Sequence, residues 1–141
     1  MVAMQTDFYD AHERHWKDAE ALRTGTRWAN ADHLYGIAAE CGLKRLMQAF
    51  GMPLGLDGGP YNRGDRVHAD QVWARYEAYR SGHHNGAAYP LSAANPFSDW
   101  SVHQRYAKQT EFDEPLVNRH RVGAEMVRSR ISAARADGLL A

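Results

Sequence analysis

The chain has 141 residues, with 17 basic side chains against 17 acidic ones and a net charge of zero when its 8 histidines are neutral. That length suits one domain spanning residues 1–141, able to bury a core without disulfides or a structural metal. The charge balance excludes a protein that grips nucleic acid or anionic membrane through bulk charge, and leaves a local basic face as the alternative.

Only Lys17, Lys44 and Lys108 are lysines, so the cationic chemistry is mostly arginine, the side chain suited to bidentate phosphate or carboxylate contacts. A GC-rich coding sequence explains the same bias without any function. Cys41 is the only cysteine, which excludes an intramolecular disulfide and a multi-cysteine zinc site and points to the cytosol. The opening MVAMQTDFYDAHERHWKD meets charged residues before any apolar run of signal-peptide length. No segment approaches the roughly 20 apolar residues of a membrane span. A soluble cytoplasmic protein is expected, with no membrane partner.

The first predicted helix runs from Phe8 to Arg23. Phe8, His12, His15, Ala19 and Leu22 share one stripe at helical spacing, with Tyr9 and Trp16 alongside, and Thr6 or Asp7 is placed to cap it. Thr24, Gly25 and Thr26 form a break so short that the next helix must return antiparallel. That second helix, Arg27 to Phe50, carries Ala31, Leu34, Tyr35, Ala38, Cys41, Gly42, Leu46 and Ala49 on one face. Ile37, Leu43, Met47 and Phe50 widen the apolar surface, so the helix belongs in the middle of a bundle. Its polar strip is narrow: Asp32, Gly36, Glu40, Lys44 and Gln48, with Glu40 in the favourable order before Lys44 for an ion pair. Gly36 and Gly42 cost helix propensity, and close packing against a neighbour is the expected compensation.

Gly51 to Asp65 is rich in glycine, proline and turn formers and reads as a long loop. A third helix is predicted from about Val67 to Arg80, with Ala69, Val72, Trp73, Tyr76 and Tyr79 inward and Ser81 and Gly82 ending it. Gly82 to Ser98 is a second long loop, followed by the rest of a PFSDWSVHQRY stretch; loops this long in a small domain are where a site is sought. The last helix starts near Pro115, behind Asp113 and Glu114, and reaches about Ala136. Leu116, His120, Gly123, Ala124, Val127, Ile131 and Ala134 are its expected core face, and Arg119, Arg121, Arg128, Arg130 and Arg135 make the remainder basic. Four helices with two long loops give an all-α, up-and-down four-helix bundle.

WANADHLYGIAAECGLKRLM, with Ala38, Ala39, Glu40, Cys41, Leu43 and Lys44, resembles the segment of HEPN-domain proteins in which small residues, an acidic residue and a cysteine precede an apolar, lysine-bearing turn. FSDWSVHQRYA, Phe97 to Ala107, is similar to the stretch before the last helix in many of those domains. The order of hairpin, loop, helix, DWSVHQRY and final helix extends the resemblance over nearly the whole chain. It implies a HEPN-like four-helix bundle, commonly a homodimer, acting as a ribonuclease, a partner of a nucleotidyltransferase or a binding module. The ribonuclease members carry an arginine followed after four to six residues by a histidine near the start of the last helix or the end of the third. Here Arg119 meets Ala124, Glu125 and Met126, and Arg121 meets Met126, Val127 and Arg128. Arg27 to His33 and Arg63 to His68 have matching spacing but lie elsewhere in the chain and read as chance.

Cleavage of RNA without a metal needs an acid, a base and positive charge at the phosphorane. His83, His84, His103 and His120 are the catalytic candidates, with Arg105 and Arg119 as cations. His120 sits on an apolar stripe and reads first as a buried, bonded histidine. For binding, Arg105 and Tyr106 offer a phosphate contact and a stacking surface, with Arg119 and Arg121 as further cations. The competing reading pairs Asp99 with Arg105 and pins Trp100 and Tyr106 onto the bundle. Glu40 is expected to pair with Lys44 or Arg45, and Cys41 to pack as a small apolar residue. His12 with His15, and His33 with Glu40, have helical spacings that permit a metal site, but neither a Glu-x-x-His pair nor HExxH occurs, so no metal or cofactor is assigned. The expectation is therefore a HEPN-like accessory or binding module, for RNA, a nucleotide or a nucleotidyltransferase-type partner. The alternative is a toxin-like ribonuclease of a toxin-antitoxin pair.

Overall fold

The computed structural model describes residues 4–140. Four helices, α1 (Phe8–Thr24), α2 (Trp28–Ala49), α3 (Ala69–Ser81) and α4 (Glu114–Ala136), make an all-α four-helix bundle. Short 3₁₀ helices at Arg63–Asp65, Gly86–Ala88, Val102–Tyr106 and Gln109–Glu111 punctuate the connections. Among the described residues there is no strand, only an isolated bridge between Leu54 and Pro60. No described helix is long and apolar enough to cross a membrane. The helix ends follow their capping chemistry: Asp7 Oδ1 accepts from the Asp10 N–H at 2.9 Å, and Asp113 Oδ1 from the Leu116 N–H at 3.0 Å, with Pro115 in the first turn of α4.

α2 is the central element, packed by α1, α3 and α4. Residues of α1 meet α4 in reverse order, Glu20 with Arg121, Glu13 with Arg128 and Tyr9 with Arg135, so α1 is antiparallel to α4 as well as to α2. Alternation along the chain stops there. Asp32 touches His120 while Gly42 lies against Val127, and His68 reaches Glu40 while Tyr76 meets Phe50, so α2, α3 and α4 run the same way. The expected strict up-and-down order holds for the α1–α2 hairpin only. The two long loops carry the chain back along the bundle between parallel helices, which explains their length.

The small residues of α2 do what their spacing predicts. A Cβ on Gly36 would collide with the Trp100 indole, and one on Gly42 would lie 2.5 Å from Val127 Cγ1 and 2.7 Å from His12 Nδ1. The narrow polar strip of α2 does not face water. Asp32, Gly36, Glu40 and Lys44 are buried, because the Phe97–Tyr106 segment and the start of α3 lie against α2. Phe97 and Trp100 are themselves buried, and anchors of that size stabilise a docked segment by about 1.5–3 kcal/mol each.

Candidate nucleic-acid interface

Helical periodicity brings His120 of α4 and Asp32 of α2 to the same depth of the core, both with no exposed surface. His120 Nδ1 lies 2.6 Å from Asp32 Oδ1, and its Nε2 lies 2.7 Å from Asp99 Oδ1. A neutral imidazole has one N–H, so an imidazole between two carboxylates satisfies both only as the cation. Burial by itself would lower the His120 pKa, but the hydrogen bonds and charges of Asp32 and Asp99 outweigh it and raise it above the ordinary value. Burial would likewise raise Asp99, and His120 with Arg119 reverses that, leaving Asp99 below the usual carboxylate range. Phe97 stacks on the imidazole at 5.4 Å between centroids.

This cluster fixes the segment that follows it. Gln104 Nε2 donates to Asp32 Oδ2 at 2.7 Å, Trp100 Nε1 donates to the Asp32 carbonyl at 3.2 Å, and Arg119 pairs with Asp99 Oδ2. Ser101 and Gln104 cap the 3₁₀ helix Val102–Tyr106 reciprocally. The pairing of Asp99 with Arg105 expected from the sequence is not made. Arg105 instead donates to the Val102 carbonyl at 3.2 Å and lies over the Tyr106 ring at 4.8 Å, while Tyr106 is 77% exposed.

Beside this platform is a pocket of about 180 Å³ lined by Arg27, Ala29, Asn30, Gln104, Arg105 and Gln109, with two guanidinium groups and no acidic side chain. It opens at the start of α2, whose N-cap Arg27 makes no capping bond from its side chain and whose first turn holds no acidic residue. Backbone N–H groups there lack intrahelical acceptors and can bind an anion. Asn30 was not singled out by sequence, and Arg27 entered as a site candidate only through its spacing to His33, which read as chance; a helix start without a capping side chain was the legible signal.

Of the remaining expected site residues only His103 lies at the platform. His83 stacks on His84 at 4.4 Å and lies against Phe50, at the far end of α2. The stretch of α2 from Asp32 to Phe50 spans about 27 Å, so these histidines and Arg105 serve no common reaction centre. His103 is exposed on the Val102–Tyr106 helix itself. The expected free basic face of α4 is largely occupied: Arg121 pairs with Glu20 and Glu125, Arg128 with Glu13, and Arg130 donates to the Pro90 carbonyl. Arg121 and Arg128 also lie over Trp16.

A second polar cluster lies along the other side of α2. Glu40 is bonded by Lys44 Nζ at 3.1 Å and by His68 Nδ1 at 3.0 Å, which supplies the Lys44 partner expected from the sequence. His12 turns inward to the Ala38 carbonyl at 2.7 Å and so does not converge with His15. Among the described residues no group of three His, Cys, Asp or Glu side chains has the arrangement of a metal site. Burial, with the Glu40 charge adding to it, pushes the Cys41 thiol up to about 12, the state of an unreactive packed cysteine. No family model, no curated protein and no solved structure matches this chain.

Proposed function

We propose that this chain is a non-catalytic, HEPN-like binding module that holds single-stranded RNA at the Val102–Tyr106 platform. The observation that carries the reading is the exposed Tyr106 ring, backed by Arg105, next to a small cationic pocket at the start of α2. Tyr106 is the stacking surface for a base, and Arg27, Arg105 and the first N–H groups of α2 take the neighbouring phosphate. His103 and Lys108 flank the platform, and residues 101–110 contain no acidic side chain. The resemblance of the α2 and FSDWSVHQRYA sequences to HEPN domains, together with the presence of four helices, supports the family reading. A nuclease is disfavoured because the candidate histidines are scattered: His120 is enclosed by two carboxylates, and His83 and His84 lie at the other end of α2.

The test is fluorescence anisotropy of a labelled single-stranded RNA at low and moderate salt, with the RNA run afterwards on a denaturing gel. Saturable, salt-sensitive binding is expected, and Arg105→Ala and Tyr106→Ala should each weaken it about tenfold. Absence of binding at low salt, or binding indifferent to both changes, defeats the proposal. Cleavage of the RNA puts the ribonuclease in its place.

A further inference from the structure

Away from the platform, a groove of about 680 Å³ runs between α3 and the Leu91–Ser98 part of the second long loop. Asp70, Trp73, Ala74 and Glu77 recur at i, i+3, i+4 and i+7 and so form one face of α3 along its length. Leu91 and Ala93 make the opposite apolar wall. The volume is that of a small-molecule site.

The polar groups of the loop wall are already used. Asn95 donates from Nδ2 to the Asp70 carbonyl at 3.0 Å and accepts from the Phe97 N–H at 2.8 Å. The Trp73 indole donates to the Ser92 carbonyl at 3.0 Å, and the Ser92 hydroxyl to the Ala94 carbonyl at 3.0 Å. Arg80 is held by Glu77 Oε2 at 2.5 Å and by the Gly86 carbonyl at 3.2 Å. What remains is the Ser98 hydroxyl and carboxylate oxygen. Glu77 Oε1 is buried with no partner, and the Asp70 carboxylate makes no hydrogen bond or ion pair among the described residues.

An ionised carboxylate only accepts, so the occupant must bring N–H donors, and a lining that holds two carboxylates and one guanidinium selects positive charge. The mostly hydrocarbon walls require an apolar body behind that charge. We infer that the groove between α3 and Leu91–Ser98 is a binding site for an organic ammonium ion with an apolar body, of the arylalkylamine kind. The ammonium donates to the Asp70 carboxylate, Glu77 lies two helical turns further along α3 and adds negative charge to the lining, and the aryl group lies along Ala74, Leu91 and the edge of Trp73.

The test is a two-dimensional amide NMR titration of the full chain with 2-phenylethylamine and, separately, with 3-phenylpropionate, which presents a similar apolar body with the opposite charge. The amine should shift amides in Asp70–Glu77 and Leu91–Asn95 saturably, with a Kd in the millimolar range. The acid should bind at least about tenfold more weakly. Ala74→Leu fills the groove from an exposed helical position that tolerates leucine, and should abolish the shifts while the spectrum stays dispersed. The double variant D70N/E77Q should weaken the amine by about tenfold or more. Equal binding of amine and acid, no saturable shift, or an Ala74→Leu protein that binds as well as the parent overturns the assignment.

Discussion

At the scale of single residues, the most constrained side chain is His120, whose two ring nitrogens face two carboxylates from different parts of the chain. Removing Asp32 leaves the His120 Nδ1 and the Gln104 amide without their acceptor and halves the carboxylate charge that faces the imidazole. Asp32→Ala is therefore expected to destabilise the protein by about 3–5 kcal/mol, read from urea denaturation. A loss below about 1 kcal/mol would mean that the pair is not ionised. Cys41 makes the opposite case: with its thiol pushed up to about 12 it should resist alkylation in the folded protein and react once denatured, as mass spectrometry after timed iodoacetamide treatment would show. Helical spacing made the burial of His120 legible, but not its partners. Asp32 reads as part of a polar strip, and nothing local shows that a residue 88 positions away completes it. The same limit misassigned Asp99 to Arg105. Charge order along the chain suggests that pair, whereas the turn at Phe97–Ser101 aims the carboxylate at α4.

Helix existence and extent were readable because α1, α2 and α4 have an apolar period, α1 and α4 have capping residues at their starts, and Gly82 follows the end of the weakly amphipathic α3. α2 was expected over Arg27–Phe50 and forms over Trp28–Ala49. The direction of α3 was not readable, since a long loop permits either sense. The docking of the Phe97–Tyr106 segment onto α2 depends on one missing side chain at Gly36. Gly36→Ala gains helix propensity and yet should cost about 1–3 kcal/mol, because its Cβ has to displace the Trp100 indole. Partial proteolysis should then cut between Pro96 and Phe112 first; unchanged protection there would mean that the segment is not held by Trp100.

For the whole molecule, the histidines give stability two opposed dependences on pH. His120 is raised, so its contribution is complete below about pH 6.5, the ordinary imidazole value, and is lost as pH rises through its higher folded pKa. His12, His15 and His33 are lowered, chiefly by burial, so their contribution is present above about pH 6.5 and is lost as pH falls towards their folded values. Stability should therefore peak near neutrality. His120→Gln is expected to flatten the decline of the urea midpoint above about pH 6.5 while leaving the acidic decline in place. A decline on the alkaline side as steep as in the parent protein would assign it to other groups.

The shared direction of α2, α3 and α4 has an electrical consequence that a net charge of zero conceals. Each helix is a dipole equivalent to roughly half a unit charge at either end, and α1 alone opposes the other three. Alternating helices would cancel; these do not, and the positive pole falls at the end where α2 begins. At α4 that pole is offset by Asp113 and Glu114, but at α2 no carboxylate in the first turn offsets it. A neutral chain thus carries a permanent polar axis. It would turn its Arg27 end towards a polyanion before any contact is made, over a range that shrinks to about 8 Å at physiological ionic strength.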